Sequence, residues 1–253
     1  MNRKTILAAV GQALSGKAFL LGVLGVFLLL LAGSIQDIVL AVRMEGLLES
    51  GFHYNLIGKA LSSDGMTMAI PILAVIPYAA SVVDDTKSGF IKEYLPRTSR
   101  NGYLLGKIVA CVLSGGLVFV CGILAACIVA ALVFTPMEGA AGISAGVSPG
   151  IVELFLKGLL FFCSGAFWSM TGMVAAVWSG SKYTAAASPF VLYYVLIILH
   201  ERYFGDMHLL YPREWTEPTE YWMYGGLGVV LFVMELVVIA ALCFWMIAKK
   251  HLL

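Results

Sequence analysis

The sequence predicts an all-α polytopic membrane protein with six transmembrane helices, and three observations lead to this fold class. Of the 253 residues, 60% are hydrophobic and 12% charged, whereas about a quarter of the residues of a soluble domain are charged. Six apolar runs reach the roughly 18 residues that a hydrocarbon core of about 30 Å requires. Backbone polar groups in lipid must pair within their own segment, so each run is expected to be helical. We expect one transmembrane domain over residues 1–253, with spans at Ala18–Val42, Met66–Val83, Tyr103–Phe134, Ile151–Trp178, Tyr183–Leu199 and Met223–Ala248.

A short interfacial helix is predicted on the membrane surface before the first span, over residues 3–16. Its apolar residues recur at helical spacing, with polar residues elsewhere on the helical wheel; they are Ile6, Leu7, Val10 and Leu14. The basic start followed by an apolar run also resembles a secretory signal. Because Ile35–Val42 extends the run beyond a signal core, we interpret the segment as a retained first span.

Irregularities are predicted in two spans and in one connection. Prolines at 71 and 77 in the second span and at 189 in the fifth predict kinks. Residues 200–221, between the last two spans, are rich in Tyr and Trp. Aromatic side chains of this kind are typical of the headgroup level of a membrane, where we expect them.

Lysine and arginine predict the orientation in the cell membrane. With the N-terminus inside, eleven of these residues lie in cytoplasmic connections and five outside, so the positive-inside rule predicts that both termini are cytoplasmic. The formal net charge of +1 gives no reason to expect nucleic acid as a partner. The eleven are Arg3, Lys4, Lys17, Lys87, Lys92, Arg97, Arg100, Lys107, Lys182, Lys249 and Lys250, and the five are Arg43, Lys59, Lys157, Arg202 and Arg213.

No motif predicts catalysis by this chain. Gly11–Ala18, "GQALSGKA", is one residue from the phosphate-binding pattern GxxxxGK[ST], but Ala18 replaces the hydroxyl that would hold Mg²⁺. The cysteines all lie in apolar runs without a CxxC pair, so we interpret them as small packing residues. The histidines match no standard metal site: they are His53, His200, His208 and His251. We therefore expect no enzyme activity and no cofactor bound by this chain.

Two ionisable residues within the predicted spans are candidate functional residues. Glu235 lies near the middle of the sixth span, and Lys157 lies about two turns into the fourth, where it is a candidate to approach Glu235 across the bundle. An ionisable residue at mid-bilayer costs about 3 kcal/mol and usually faces protein. A substrate path, a subunit seam and a purely structural hydrogen bond remain open as interpretations.

A short amphipathic cytoplasmic helix is predicted over residues 86–95, within the charged stretch Asp84–Lys107, "DDTKSGFIKEYLPRTSRNGYLLGK". Asp84 or Asp85 is a candidate N-cap. Pro96 ends the helix because the residue before a proline avoids helical geometry. Four residues at helical spacing form its apolar face: Phe90, Ile91, Tyr94 and Leu95.

The same stretch resembles the first cytoplasmic loop of ABC-2 type permeases, the membrane subunits of ABC exporters. The resemblance is carried by Gly89, Pro96, Ser99-Arg100, Tyr103 and Lys107. The six predicted spans, the cytoplasmic ends and the basic surface helix are also similar to that family, so the resemblance covers the whole chain. One departure is that "TKS" precedes the glycine, where the family often has a glutamate.

The resemblance implies the membrane half of an ATP-driven exporter, in which two permeases pair with two cytoplasmic ABC ATPase subunits that bind ATP and Mg²⁺. The second permease is either another copy or a different chain. The cargo implied for these apolar spans is a hydrophobic or amphiphilic peptide, drug or lipid. The ATPase-coupling residues implied by the resemblance are Gly89, Phe90, Ile91, Lys92, Glu93, Tyr94, Leu95, Pro96, Arg97 and Arg100. The alternative role for Phe90 and Tyr94 is to anchor the loop on the lipid surface.

A secondary transporter or channel that works without an ATPase is the alternative function. Many secondary transporters contain inverted repeats and paired broken helices around a site at the bilayer midplane. The sequence shows no such repeat and one central carboxylate, Glu235. These observations favour the exporter subunit.

Overall fold

The computed structural model describes residues 3–43, 47–94, 99–139 and 149–251, and this part of the chain is all-α. One isolated parallel bridge joins Leu48 and Glu138. Short 3₁₀ turns follow α7 and α9, at Thr135–Met137 and His208–Leu210. The helices are α1 Arg3–Ser15, α2 Lys17–Arg43, α3 Phe52–Leu61, α4 Asp64–Val75, α5 Ser81–Lys87, α6 Phe90–Tyr94, α7 Arg100–Phe134, α8 Pro149–Ser179, α9 Lys182–Arg202 and α10 Gly226–His251.

Five of the described helices are long and apolar enough to cross a membrane. They cover Lys17–Arg43, Arg100–Met137, Gly150–Ser179, Lys182–Arg202 and Gly226–Lys250. These ranges correspond to five of the six predicted spans. The chain is therefore a multi-pass membrane protein by the length and composition of its helices.

The second predicted span, Met66–Val83, differs from the prediction because it is not one helix. Pro71 lies inside α4, which ends at Val75, and residues 76–80 form turns before α5 begins at Ser81. Pro77 lies in these turns. A proline has no N–H and its ring clashes with the carbonyl four residues earlier, which accounts for a break at this position.

The core of the bundle forms around α8, which packs against α7, α10, α9 and α4. Helices α7 and α8 approach closely at Gly115 and Gly165. A Cβ atom built on Gly165 would lie 2.5 Å from the carbonyl oxygen of Gly115, and one built on Gly115 would lie 2.8 Å from that of Gly165. Small residues allow such backbone contact between membrane helices, so these two glycines set the spacing of the two central helices.

The two ends of the bundle carry different structures. The α1 end carries α1, α5, α6 and the start of α7, and the opposite α3 end carries α3 and residues 203–225. The sequence does not predict α3, which packs on α2, α7 and α8. Glu138 holds its start: the N–H groups of Gly51 and His53 donate to the carboxylate at 2.9 and 3.1 Å, and His53 Nδ1 lies 2.5 Å from Oε1.

Residues 203–225 fold back into the α3 end, and one aromatic side chain of this segment is buried among protein residues. Trp215 is 2% exposed and stacks on Trp168 of α8, with ring centroids 5.8 Å apart. Glu214 accepts a hydrogen bond from Trp222 Nε1 at 2.7 Å and lies 2.8 Å from His208 Nδ1. The middle of the segment is thus packed against the bundle, while Tyr203, Tyr221 and Tyr224 on either side of it are exposed.

Candidate functional site

The candidate site is a polar cluster at the α1 end, where α5 meets the start of α7. Lys107 Nζ lies 2.8 Å from Asp85 Oδ2, and the hydroxyl of Tyr103 donates to the same oxygen at 2.8 Å. Tyr103 and Lys107 are four residues apart on α7, so they share one helix face. The Lys107 side chain is 4% exposed and that of Asp85 is 15% exposed. The cluster therefore joins a buried ammonium to a nearly buried carboxylate.

Aromatic rings and a small cavity surround this ion pair. Lys107 Nζ lies 4.7 Å from the centroid of the Tyr78 ring, which stabilises the ammonium by a cation–π interaction. A cavity of about 140 Å³ adjoins the pair, and Phe90 and Gln12 contribute to its lining. α1 packs over this region, since a Cβ on Gly106 would lie 3.5 Å from the Cβ of Ala9. α1 thus lies beside the ion pair.

Asp84 and Asp85 differ from the predicted role of helix caps. Both lie inside α5, whose N-cap position is Ala80. Their carboxylates point to different helices: Asp85 binds Lys107 of α7, and Asp84 forms an ion pair with Lys182, the first residue of α9. The second pair is half-exposed on both sides. α5 is thereby tied to α7 by a buried pair and to α9 by a surface pair.

The segment predicted as a helix over 86–95 is divided by Gly89. α5 ends at Lys87, Gly89 has φ +76°, and α6 covers five residues from Phe90. A glycine with positive φ is a common end of a helix because it has no Cβ to clash. The predicted amphipathic helix is therefore a bent unit in which a five-residue helix follows α5.

The predicted coupling residues of α6 and its surroundings lie in different environments. Ile91 is 7% exposed and Phe90 is 43% exposed, while Glu93 is exposed. Arg100 begins α7 and is exposed, and Ser99 caps that helix by accepting a hydrogen bond from the N–H of Gly102 at 3.2 Å. Outside the described residues lie Leu95, Pro96 and Arg97, and also the side chains of Lys92 and Tyr94.

Lys157 and Glu235 are not brought together. Lys157 Nζ lies 3.3 Å from each of three oxygens: the carbonyl of Gly58, Oγ of Ser62 and Oε1 of Glu153. Lys157 therefore ties α8 to α3. Glu235 lies on the exposed face of α10 and has no polar partner among the residues that the structure describes.

The segment that approaches a phosphate-binding pattern is helical on both sides of Gly16. α1 ends at Ser15 and α2 begins at Lys17, whereas a phosphate loop connects a strand to a helix. Within the described residues, no group of three or more His, Cys, Asp or Glu side chains is placed to hold a metal ion.

Sequence reasoning singled out Tyr103 and Lys107 but not their partner. Both residues carry part of the resemblance to ABC-2 permeases, whereas Asp85 is considered only as a candidate helix cap. The identity of the partner depends on the break at Pro77, because this break places Asp85 on a separate short helix beside α7. The result is a polar contact that joins α5 to α7.

Comparison with models of known protein families and with curated proteins finds no match for this chain.

Proposed function

We propose that this chain is the membrane-spanning permease subunit of an ATP-driven ABC exporter, of the ABC-2 type. In this proposal it moves a hydrophobic or amphiphilic compound out of the cell, and a separate cytoplasmic ATPase docks on the coupling residues named above, at positions 89–97 and 100. The observation that carries the proposal is the Asp85–Lys107–Tyr103 cluster. Tyr103 and Lys107 belong to the resemblance to ABC-2 permeases, and they bind Asp85 of α5, the helix that directly precedes the proposed docking segment.

The cluster suits the transmission of force from the docking segment to the bundle. A displacement of α6 reaches α5 through the bend at Gly89 and then reaches α7 through the Asp85–Lys107 pair. α7 has 35 residues and touches α8 at the Gly115–Gly165 crossing. ATP shifts the equilibrium between two states of the permease only by its different affinity for the two states. Because the buried pair joins α5 to α7, the two helices move together when ATP shifts the permease from one state to the other.

In the proposed topology, α4, the turns at 76–80 and the start of α5 cross the membrane together as the second of six spans. α4 alone has 12 residues, which cover about 18 Å at 1.5 Å per residue. This is less than a hydrocarbon core of about 30 Å. The break lies where α4 and α5 pack against α8, and irregular backbone at membrane depth is tolerated where protein covers it. Both termini then lie on the cytoplasmic side of the cell membrane.

Two further partners belong to the proposal. A second permease, identical or different, completes the membrane half, and the exposed carboxylate of Glu235 remains a candidate contact at a seam with it or on a substrate path. ATP and Mg²⁺ bind to the ATPase subunits. The chain itself contributes the docking surface and the path through the membrane.

Affinity purification of the tagged chain from its native membrane in mild detergent tests the proposal. Mass spectrometry and an ATP-hydrolysis assay on the complex are expected to identify a stoichiometric ATPase. The double substitution Phe90→Ala and Tyr94→Ala should remove this ATPase while the chain still inserts in the membrane. Tyr203→Ala is the matched control, because Tyr203 is an exposed aromatic residue of the α3 end. A chain that purifies alone, without ATP hydrolysis, would overturn the proposal in favour of a secondary transporter.

A further inference from the structure

A large cavity lies at the α3 end, which the distribution of lysine and arginine predicts to face the outside. Its volume of about 720 Å³ is within the range of roughly 300–1,000 Å³ that is typical of ligand pockets. Its walls come from α2, from residues 47–62, from the start of α8 and from Glu217 of the folded-back segment. Lys157 lines this cavity and is held by the three oxygens described above.

The charged side chains that line the cavity, among the residues that the structure describes, favour the binding of a cation. Four carboxylates and two ammonium groups line it. Lys59 lies 3.7 Å from Asp37, and Lys157 lies 3.3 Å from Glu153, so both ammonium groups have a carboxylate beside them. Glu49 and Glu217 have no basic partner among the residues that the structure describes. A cleft with an excess of one sign of charge concentrates ions of the opposite sign.

An apolar groove of about 510 Å³ adjoins this cavity on the surface of α7 and α8. Tyr54 and Leu154 line both spaces. Leu124 and Phe155 are 55% and 76% exposed along the groove, on helices that are long enough to span the membrane. A Cβ atom on Gly158 would meet nothing within 4 Å, so the groove is open at this residue. The groove therefore offers an aliphatic chain a path from the lipid to the charged cavity.

We propose that the cavity and the groove together bind an amphiphile with a single cationic headgroup and an aliphatic chain. The headgroup, an ammonium, lies near Glu49 and Glu217, and the chain lies along Leu124, Phe155 and Gly158. An anionic headgroup does not fit this charge distribution, because both lysines already contact carboxylates. An uncharged amphiphile gains the apolar contacts without the electrostatic attraction. This binding does not require an ATPase.

Three probes with the same chain and different headgroups test the proposal: dodecylammonium, dodecanol and dodecyl sulfate. Radiolabelled dodecylammonium is titrated onto the full chain in nanodiscs of zwitterionic lipid, with empty nanodiscs as the reference. We expect saturable binding of one molecule per chain. Unlabelled dodecanol and dodecyl sulfate should compete about tenfold or more weakly, because electrostatic complementarity discriminates against the wrong charge. Absence of saturable binding, or equal competition by the three probes, would overturn the proposal.

Two sets of variants locate the bound probe. Gly158→Leu places a side chain in the groove and should abolish saturable binding, whereas Gly158→Ala adds only a Cβ in open space and should retain it. The double substitution Glu49→Gln and Glu217→Gln should lower the affinity for dodecylammonium about tenfold and leave that for dodecanol unchanged. Size-exclusion profiles and melting temperatures check that each variant is folded. Binding that is insensitive to both Gly158→Leu and the double substitution would show that the probe binds elsewhere.

Discussion

Lys107 and Asp85 form an ion pair at the α1 end, with Nζ 2.8 Å from Oδ2 and both side chains at most 15% exposed. The pair connects a seven-residue helix to a 35-residue helix. An ion pair with so little water around it is not a strong source of stability by itself, but loss of one partner leaves an uncompensated charge. The two residues therefore act as a unit that fixes α5 on α7.

Substitution of Asp85 tests this connection. Asp85→Ala leaves the Lys107 ammonium buried without its carboxylate, and we expect a loss of about 3 kcal/mol in the free energy of unfolding. The measurement is unfolding in detergent, followed by circular dichroism. The double variant Asp85→Asn and Lys107→Met should recover part of the loss, because neither charge then remains.

Asp84→Ala is the matched control for this prediction. Asp84 is the preceding residue on α5, and its partner Lys182 is half-exposed. Exposed ion pairs contribute about 1 kcal/mol or less, so this variant should unfold close to the native chain. Equal destabilisation by Asp84→Ala and Asp85→Ala would contradict the special role of the buried pair.

The bend at Gly89 predicts a second effect of mutation. Gly89 has φ +76° and open space where a Cβ would lie, so Gly89→Ala acts through the backbone alone. We expect a loss of about 1 kcal/mol, and weaker ATP hydrolysis in the complex if the α5–α6 bend sets the docking geometry. Gly11→Ala also adds a Cβ in open space, but inside α1, where alanine is the better helix former. The control should therefore be neutral or stabilising, and a loss equal to that of Gly89→Ala would contradict the argument.

The α7–α8 crossing predicts a third effect. Gly165→Ala brings a Cβ to 2.5 Å from the carbonyl oxygen of Gly115, so the helices must separate, at a cost of about 1–3 kcal/mol for overpacking. The melting temperature in detergent should fall accordingly. Gly158→Ala on the same helix meets no atom within 4 Å and should keep or raise the melting temperature. If both variants melted alike, helix propensity rather than close contact would determine their stability.

A pH dependence follows from Glu138 at the α3 end. Burial raises the pKa of this carboxyl, but hydrogen bonds from His53 and from the backbone N–H of Gly51 and His53 outweigh it and hold the pKa below its ordinary value of 4.5. The folded state therefore binds this proton less readily than the unfolded state. The ionised Glu138 carboxylate therefore stabilises the folded state above pH 4.5. This stabilisation is lost as the pH falls through the lowered pKa.

Melting temperatures measured between neutral and acidic pH check this effect. The native chain should lose stability on the acidic side, and Glu138→Gln should be less stable at neutral pH with a smaller further loss in acid. Glu153→Gln is a control carboxylate of the same end, since its side chain is 67% exposed. A Glu138→Gln variant with the native acid profile would show that other groups cause the loss.

Hydrophobicity predicts five of the long helices but not the break in the second predicted span. The run Met66–Val83 is largely apolar. Pro77 predicts a kink in this span, but hydrophobicity does not predict that the helix ends there and that a separate helix follows. α3 lies in a connection that is too short and too mixed to resemble a span. Its position depends on Glu138, which is 85 residues from His53 in the chain. Local periodicity contains no information about such a contact.

The contacts of the candidate site also depend on tertiary structure that local sequence patterns do not predict. Tyr103 and Lys107 are singled out by the resemblance to ABC-2 permeases, whereas their pairing with Asp85 depends on the tertiary arrangement of α5. Trp215 belongs to a segment that is rich in Tyr and Trp, and composition does not predict that this ring packs on Trp168. Residues that meet across helices are thus the part of the site that the sequence alone does not predict.

The stacking of Trp215 on Trp168 gives the molecule an internal optical reporter. Two indole rings whose centroids are 5.8 Å apart, with planes inclined by 23°, couple their electronic transitions and contribute a near-ultraviolet circular dichroism band. One ring belongs to the folded-back segment and the other to the central helix. Any motion that lifts this segment away from the bundle must separate the rings, so opening at the α3 end can be followed in real time without an attached dye.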